Sequence, residues 1–137
     1  MRISLRAGEK IYLNGAVISV DRKVSLELLN DATFLLESHV MQAHAATTPL
    51  RQLYFVIQLM LMDPAGANAL RGEAEQMLDK VIDAFDQADM GAKIRRVRYA
   101  LELGRLFEAL KTLRGLFAQE DAVISGGAPA ETERLRA

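Results

Sequence analysis

The sequence predicts an α+β protein in which a small N-terminal antiparallel β-meander precedes a C-terminal bundle of three to four α-helices. Short runs of alternating apolar residues, separated by turn residues, occupy residues 2–37. Two proline-marked helix starts follow, and apolar residues then recur at three- and four-residue spacing up to about residue 119. The chain has 137 residues, 50% of them hydrophobic, which is enough for one compact core.

The strands are predicted from period-two alternation, and the clearest turn between them is Asn14-Gly15. A type I′ hairpin turn needs positive φ at both central residues, which asparagine and glycine tolerate best. We expect four or five short strands. A sheet of this size cannot cover its own faces and edges, so it must pack on the helices or on a second copy of the chain.

The first helix is predicted to begin at Thr48-Pro49, because threonine caps a helix and proline suits the first helical position. It runs from residue 50 to about Met62 and is apolar almost all round. Such a helix is buried in its own chain or covered by a partner. Arg51 is a lone charge on it, and we expect this arginine to pair with an acid of the sheet or of a partner.

The later helices are predicted from similar signals. Asp63-Pro64 starts a second helix that reaches about Gln87, and Met90-Gly91 breaks it. Residues 92–119 form either one kinked helix or a helical hairpin, with Gly104 at the change of apolar face. We therefore assign residues 1–45 to a β module, 46–120 to a helical module and 121–137 to a flexible tail.

Several classes of function are disfavoured by composition. Cysteine is absent, so there are no disulfides or thiolate metal ligands. The N-terminus has no apolar signal region, and the most apolar run, residues 53–62, is too short to cross a membrane, so we expect a cytoplasmic protein without membrane contact. There is no Gly-rich phosphate loop and no catalytic constellation, which predicts a protein that is not an enzyme and needs no cofactor.

A metal site is also not expected. His39 and His44 lie five residues apart, and metal ligation there would need a carboxylate such as Glu37 to join them. Two histidines in a chain of this length meet that condition often by chance, so we predict no metal.

Basic residues supply the candidate nucleic-acid contacts. Residues 63–90 carry a net charge of −5 and residues 91–118 a net charge of +5. Pairing between neighbouring helices is the simpler interpretation, and a phosphate-binding patch is the alternative. In the β module, basic residues serve either RNA contact or protection of strand edges. The candidate RNA contacts are Arg6, Lys10, Arg22, Lys23, Arg95, Arg96 and Arg98.

Tyr12 and the block at residues 48–55 each have a structural and a functional interpretation. Tyr12 is either half-buried on the sheet or able to stack on a base. The block at residues 48–55 contains Arg51, Tyr54 and Phe55, which pack between sheet and helices or bind a partner.

Three segments carry a family resemblance: GEKIYLNGA at residues 8–16, FLLE at 34–37 and ATTPLRQLYF at 46–55. In this order and spacing they resemble the flagellum biosynthesis repressor family FlbT, over about residues 2–115. The resemblance implies a post-transcriptional regulator that associates with the 5′ untranslated region of flagellin mRNA and sets its translation or decay. It also implies a second small regulator, FlaF, as a partner acting in the opposite sense.

The β module is in addition similar in pattern to the carbon storage regulator CsrA, a dimeric β protein that binds leader RNAs. In that family basic residues precede the Gly-Glu pair after the first strand, and here Arg6 alone does so.

An alternative function belongs to a different class. The chain would be a protein–protein adaptor, or a chaperone-like partner, whose apolar helix 50–62 binds FlaF, flagellin or both, and its effect on mRNA would be indirect. A scaffold without regulatory role is a third alternative. A homodimer through the sheet edges and a heterodimer covering helix 50–62 are both compatible with the sequence.

Overall fold

The N-terminal part of the chain forms five short antiparallel strands. The computed structural model describes residues 1–30, 32–85 and 88–126. The strands are β1 (Arg2–Leu5), β2 (Lys10–Leu13), β3 (Ala16–Ser19), β4 (Val24–Glu27) and β5 (Phe34–Leu36). The predicted α+β class, with strands first and helices behind, is confirmed.

The strands pair in an order that differs from a simple meander. β1 pairs with β4, and a second sheet has the order β3-β2-β5. Among the strands of the described residues, only β2 and β3 are both neighbours in sequence and directly paired, through the predicted Asn14-Gly15 turn, where both residues have positive φ. The two small sheets enclose the side chains of Ile3, Leu5, Ile11 and Phe34. A flat meander of four-residue strands would leave these apolar groups in water.

The described residues form five helices, where three to four were expected, and these follow two single 3₁₀ turns at Glu37–His39 and Ala43–Ala45. They are α1 (Pro49–Met62), α2 (Ala67–Ala84), α3 (Ala88–Glu102), α4 (Leu106–Arg114) and α5 (Phe117–Ile124). A further 3₁₀ turn, Pro64–Gly66, leads into α2. The Thr48 side chain accepts a hydrogen bond from the Arg51 N–H, so the predicted cap of the first helix is confirmed.

The later helix boundaries differ from the predicted ones. The stretch 92–119 was left open between one kinked helix and a hairpin, and it contains parts of three helices, with Gly104 in the first break. The break predicted at Met90-Gly91 is wrong, because both residues lie inside α3. α2 ends at Ala84, before the predicted Gln87, which itself lies outside the described residues.

The C-terminal boundary of the helical module also lies further along than predicted. α5 ends at Ile124, so residues 121–124 are helical where we expected the start of a tail. Residues 127–137, most of that tail, lie outside the described part of the chain. The side chain of Glu120 is fully buried, which ties this last helix to the body of the protein.

One large core and one small core are joined at the boundary between the modules. α1 is central to the large core and packs against α2 and α4, with buried Leu53, Ile57 and Leu61. Leu35 of β5 belongs to this helical core, whereas Phe107 of α4 packs against the β core. The sheet therefore packs on the helices, which is one of the two arrangements expected from its size.

Within the described ranges, no single helix is long and apolar enough to span a bilayer. The pair Pro49–Met62 and Pro64–Ala84 satisfies the length and composition criteria together, but the two segments are bent by 114°.

Candidate functional site

The start of α1 is held by the last described helix. The Glu120 carboxylate is fully buried, and its Oε2 accepts the Leu50 N–H at 2.7 Å. Its Oε1 accepts the Thr48 hydroxyl at 2.5 Å. The first N–H groups of a helix have no partner within the helix, and a carboxylate there also meets the positive end of the helix dipole. Glu120 thus supplies from α5 an acceptor for the Leu50 N–H, in addition to the local cap in which Thr48 accepts the Arg51 N–H.

Arg51 adds a further contact between the start of α1 and α5, and we call this group of contacts the junction. Its guanidinium donates two hydrogen bonds to Asp121, with Nη1–Oδ1 at 2.8 Å and Nη2–Oδ2 at 3.0 Å. Its central carbon lies 4.6 Å from the centre of the Phe117 ring. The side-chain hydrogen bond with Asp121 raises the pKa of Arg51. We expected an acid of the sheet or of a partner here, and that expectation is wrong: the acids are Asp121 and Glu120 of the chain's own α5.

Tyr54 lies beneath this junction and is 1% exposed. Its hydroxyl donates to the His39 carbonyl at 2.5 Å and accepts from Arg114 Nη1 at 3.0 Å. Burial raises the pKa of Tyr54, while Arg114 acts in the opposite direction. Burial, followed by the charge of Arg114, lowers the pKa of His39.

The predicted partner-binding set therefore has internal contacts. Arg51 and Tyr54 bind side chains of their own chain, and Phe55 is half-buried. These contacts correspond to the packing role that was the simpler interpretation of the block. Binding of a partner by these three residues stays a prediction.

Glu37, the carboxylate considered as a metal ligand beside the two histidines, accepts a backbone hydrogen bond instead. Glu37 Oε1 accepts the Lys10 N–H at 2.8 Å, which fastens the first 3₁₀ turn to β2. Across residues 1–30, 32–85 and 88–126, no three histidine or carboxylate side chains are grouped as metal ligands.

Four of the five lysines and arginines of the β module lie at one end of the sheets. Leu5 is paired with Val24 and Lys10 with Ser19, so the turns at residues 6–9 and 20–23 lie side by side. The Gly8 N–H donates to the Val20 carbonyl at 2.7 Å, which joins the two turns directly. This end carries the predicted RNA contacts Arg6, Lys10, Arg22 and Lys23.

Acids reduce the charge of this basic end. Arg6 Nε lies 3.9 Å from Glu9 Oε1, and Arg22 Nε lies 3.4 Å from Asp21 Oδ1. Both arginines are more than three-quarters exposed, so these pairs contribute little to stability. The end is basic, but only weakly.

The three arginines of α3 are divided between two faces. Arg98 pairs with Asp79 of α2, as the interpretation based on helix–helix pairing expected. Arg95 and Arg96 are exposed. The structure thus supports charge pairing for one of the three and leaves the other two side chains in solvent.

An exposed tyrosine lies between those two arginines. Tyr99 is 63% exposed, and it follows Arg96 by three residues and Arg95 by four. Residues at these spacings are neighbours on a helix surface. We call Arg95, Arg96 and Tyr99 the α3 outer face. The sequence prediction missed Tyr99, although its spacing from the two arginines was visible.

Comparison with known proteins places the chain among flagellar proteins. The family model described as "Flagellar protein FlbT" matches residues 1–124. A "Probable flagellum biosynthesis repressor protein FlbT" from Chelativorans sp. (strain BNC1) is 51% identical over 130 residues, covering 95% of this chain and 90% of the relative.

Two further relatives with the same printed name agree. The one from Rhizobium leguminosarum bv. trifolii (strain WSM2304) is 45% identical over 99% of this chain and 93% of its own length. The one from Brucella anthropi is 52% identical over 88% of this chain and 79% of its own length. No solved structure matches the chain. The resemblance predicted from the sequence is confirmed, and the chain belongs to the FlbT family.

Proposed function

We propose that this chain is a non-catalytic, post-transcriptional repressor in flagellum assembly that associates with the 5′ untranslated region of flagellin mRNA. Its relatives are named as flagellum biosynthesis repressors, which supports the repressor role. Association with the leader RNA lowers translation of the message or promotes its decay. The protein acts in the cytoplasm, where that message is made and translated.

The α3 outer face is the observation that favours RNA as the partner. Single-stranded RNA is bound by cations that contact phosphates and by aromatic rings that stack on unpaired bases. Arg95 and Arg96 supply the cations, and the exposed ring of Tyr99 lies between them. The Tyr99 ring is already exposed, so few contacts within the protein have to be broken before it stacks on a base.

The basic end of the β module is the second contact in this proposal. Arg6, Lys10, Arg22 and Lys23 lie on adjacent turns, but Glu9 and Asp21 lie among them. Their contribution is therefore smaller per residue than that of the α3 outer face. Arg98 is left out, because its guanidinium is already bound to Asp79.

The test is binding of the purified protein to a flagellin leader RNA over a range of salt concentrations. Affinity should fall steeply with salt, and Arg95→Gln combined with Arg96→Gln should reduce the slope by roughly 0.7 for each lost phosphate contact. Tyr99→Ala should weaken binding by about tenfold through lost stacking, whereas Tyr99→Phe should bind like the wild type.

Arg105→Gln is the matched control, because Arg105 is an exposed arginine in the break after α3 and pairs only loosely with Glu108. It should change the affinity much less than the double α3 variant. Absence of RNA binding by the pure wild-type protein, or binding that does not respond to salt, would contradict the proposal.

The alternative is an adaptor that binds FlaF, flagellin or both. Its sequence argument was the apolar helix 50–62, and the structure buries Leu53, Ile57 and Leu61 of that helix within the chain. An adaptor would therefore have to use other surfaces. A pull-down with purified FlaF and flagellin, with and without nuclease, separates the two functions, since adaptor complexes survive nuclease treatment.

A further inference from the structure

β3 is an exposed edge strand. In the order β3-β2-β5 it pairs with β2 on one side, and no other strand of the described residues pairs with its second side. All four of its residues are exposed, and Val17 is 60% exposed. Natural edge strands usually carry lysine, proline or a bulge that prevents further pairing. β3 has the sequence Ala-Val-Ile-Ser and carries none of these residues.

The register with β2 identifies the free backbone groups. The Asn14 N–H donates to Thr33, on the β5 side, so alternation along β2 turns Leu13 and Ile11 toward β3. Their partners on β3 are Ala16 and Ile18. The N–H and C=O groups of Val17 and Ser19 therefore point away from β2, toward the open edge.

We propose that β3 pairs antiparallel with β3 of a second copy of this chain, about a two-fold axis at Ile18. This register places Val17 opposite Ser19 of the other copy, and each such pair exchanges two backbone hydrogen bonds. Ile18 then faces Ile18 of the other copy in a non-hydrogen-bonded position, where side chains approach most closely. The two three-stranded sheets become one continuous sheet.

The chemistry of the strand fits a second copy of itself. It is uncharged, so no like charges meet across the axis within the strand. If the pairing continues, Asp21 falls opposite Gly15 and Arg22 opposite Asn14, and again no like charges are opposed. The contact is isologous, because the same residues serve on both sides, and such two-fold contacts are the commonest form of oligomer.

The hairpin is also held in place before it meets a partner. Gly15 at its tip packs against the Pro64 side chain, where a Cβ on residue 15 would lie 3.2 Å from Cδ. The edge is therefore presented by a fixed hairpin, so pairing costs little ordering entropy. This inference does not depend on the proposed RNA association.

Sedimentation equilibrium of the full chain tests the proposal. The wild type should reach twice the monomer mass as concentration rises. Ile18→Lys puts two like charges directly opposite each other and should raise the dimer dissociation constant roughly tenfold or more. Val17→Pro removes one outward N–H but none of those bonded to β2, and it should weaken the dimer in the same direction.

Leu29→Lys is the matched control, because it also removes an exposed apolar side chain, 88% exposed, outside β3. It should leave the dissociation constant unchanged. Circular dichroism of each variant reports whether it folds. If Ile18→Lys does not fold, the dissociation constant of Val17→Pro tests the proposal. A wild type that stays monomeric up to about 1 mM, or dimers equally stable in both β3 variants, would overturn the proposal.

Discussion

Glu120 is a carboxylate withdrawn from water, and its surroundings explain how the fold tolerates it. The Thr48 hydroxyl, the Leu50 N–H and the Arg51 guanidinium surround its two oxygens. A buried charge without such partners would cost several kcal/mol. Asp121, the next residue, is half-exposed and receives the two shortest contacts of Arg51. Two adjacent acids thus have different tasks: one caps α1, and the other orients the arginine.

Replacing Glu120 should destabilise the protein far more than replacing Asp121. Glu120→Ala leaves the buried Leu50 N–H and the half-buried Thr48 hydroxyl without their acceptor, and should lower the free energy of unfolding by about 3 kcal/mol. Asp121→Ala, the matched control, removes an exposed ion pair and should cost about 1 kcal/mol or less. Urea denaturation followed by circular dichroism measures both. Equal losses of unfolding free energy in the two variants would show that the buried hydrogen bonds of Glu120 add no stability beyond that of an exposed ion pair.

The residues of this junction differ in how far they could be predicted from sequence. Thr48 and Pro49 were identified, because capping depends on neighbours within four residues. Glu120 was not, because it lies 70 residues from Leu50 and the local pattern gives no sign of that contact. The same distance explains why the acid that pairs with Arg51 was expected in the sheet or in a partner: a lone charge shows that a counter-charge is needed, but not where it lies.

Among the elements, the end of α3 shows how one residue stops a helix. Gly104 has φ +73°, its N–H donates to Leu101, and the Arg105 N–H donates to Ala100. This is the pattern of a Schellman cap, in which a left-handed residue lets the last carbonyls find donors. Residues with a Cβ adopt that conformation only at a cost of about 1 kcal/mol or more.

Two glycine substitutions should therefore have opposite effects. Gly104→Ala should lower the free energy of unfolding by about 1 kcal/mol, because the added Cβ is strained at positive φ although no atom lies nearby. Gly72 lies within α2 with open space around it, so Gly72→Ala should raise the same quantity by about 0.5–1 kcal/mol. Thermal and urea denaturation test both. A stabilising Gly104→Ala would contradict the cap.

Glycine also shows what sequence reasoning can and cannot decide about elements. Gly104 was marked as a change of helix face and does end α3, whereas Gly91 was taken as a break and lies buried inside the same helix. The strands were found from their alternation. Their pairing was not, because β1 meets β4 only when two sheets close over a shared core, and that closure depends on residues distant in sequence.

At the scale of the whole molecule, the two modules share side chains across their boundary. Leu35 of β5 is fully buried in the helical core. Phe34 stacks on Phe107 of α4 with ring centroids 4.6 Å apart. Of the two alternatives for the apolar α1, burial in its own chain or cover by a partner, the structure shows burial, with α2, α4 and α5 packed against it. The β module and the helical module are therefore successive stretches of the chain that pack into one another, and they are not separate packing units.

This sharing predicts that the two modules unfold in one transition. Because Leu35 and Phe107 each belong to the core of the other module, neither module can open without exposing apolar surface of both. Phe107→Ala should lower the free energy of unfolding by about 2 kcal/mol, less than for a fully buried phenylalanine, because Phe107 is half-buried. Hydrogen exchange in rising denaturant should show amides of β2 and α1 losing protection together in the wild type.

Leu103→Ala, at an exposed position in the break before α4, is the control and should leave the free energy of unfolding and the exchange protection nearly unchanged. If β2 lost protection well before α1, the β module would be an independent unit and the shared side chains would contribute little.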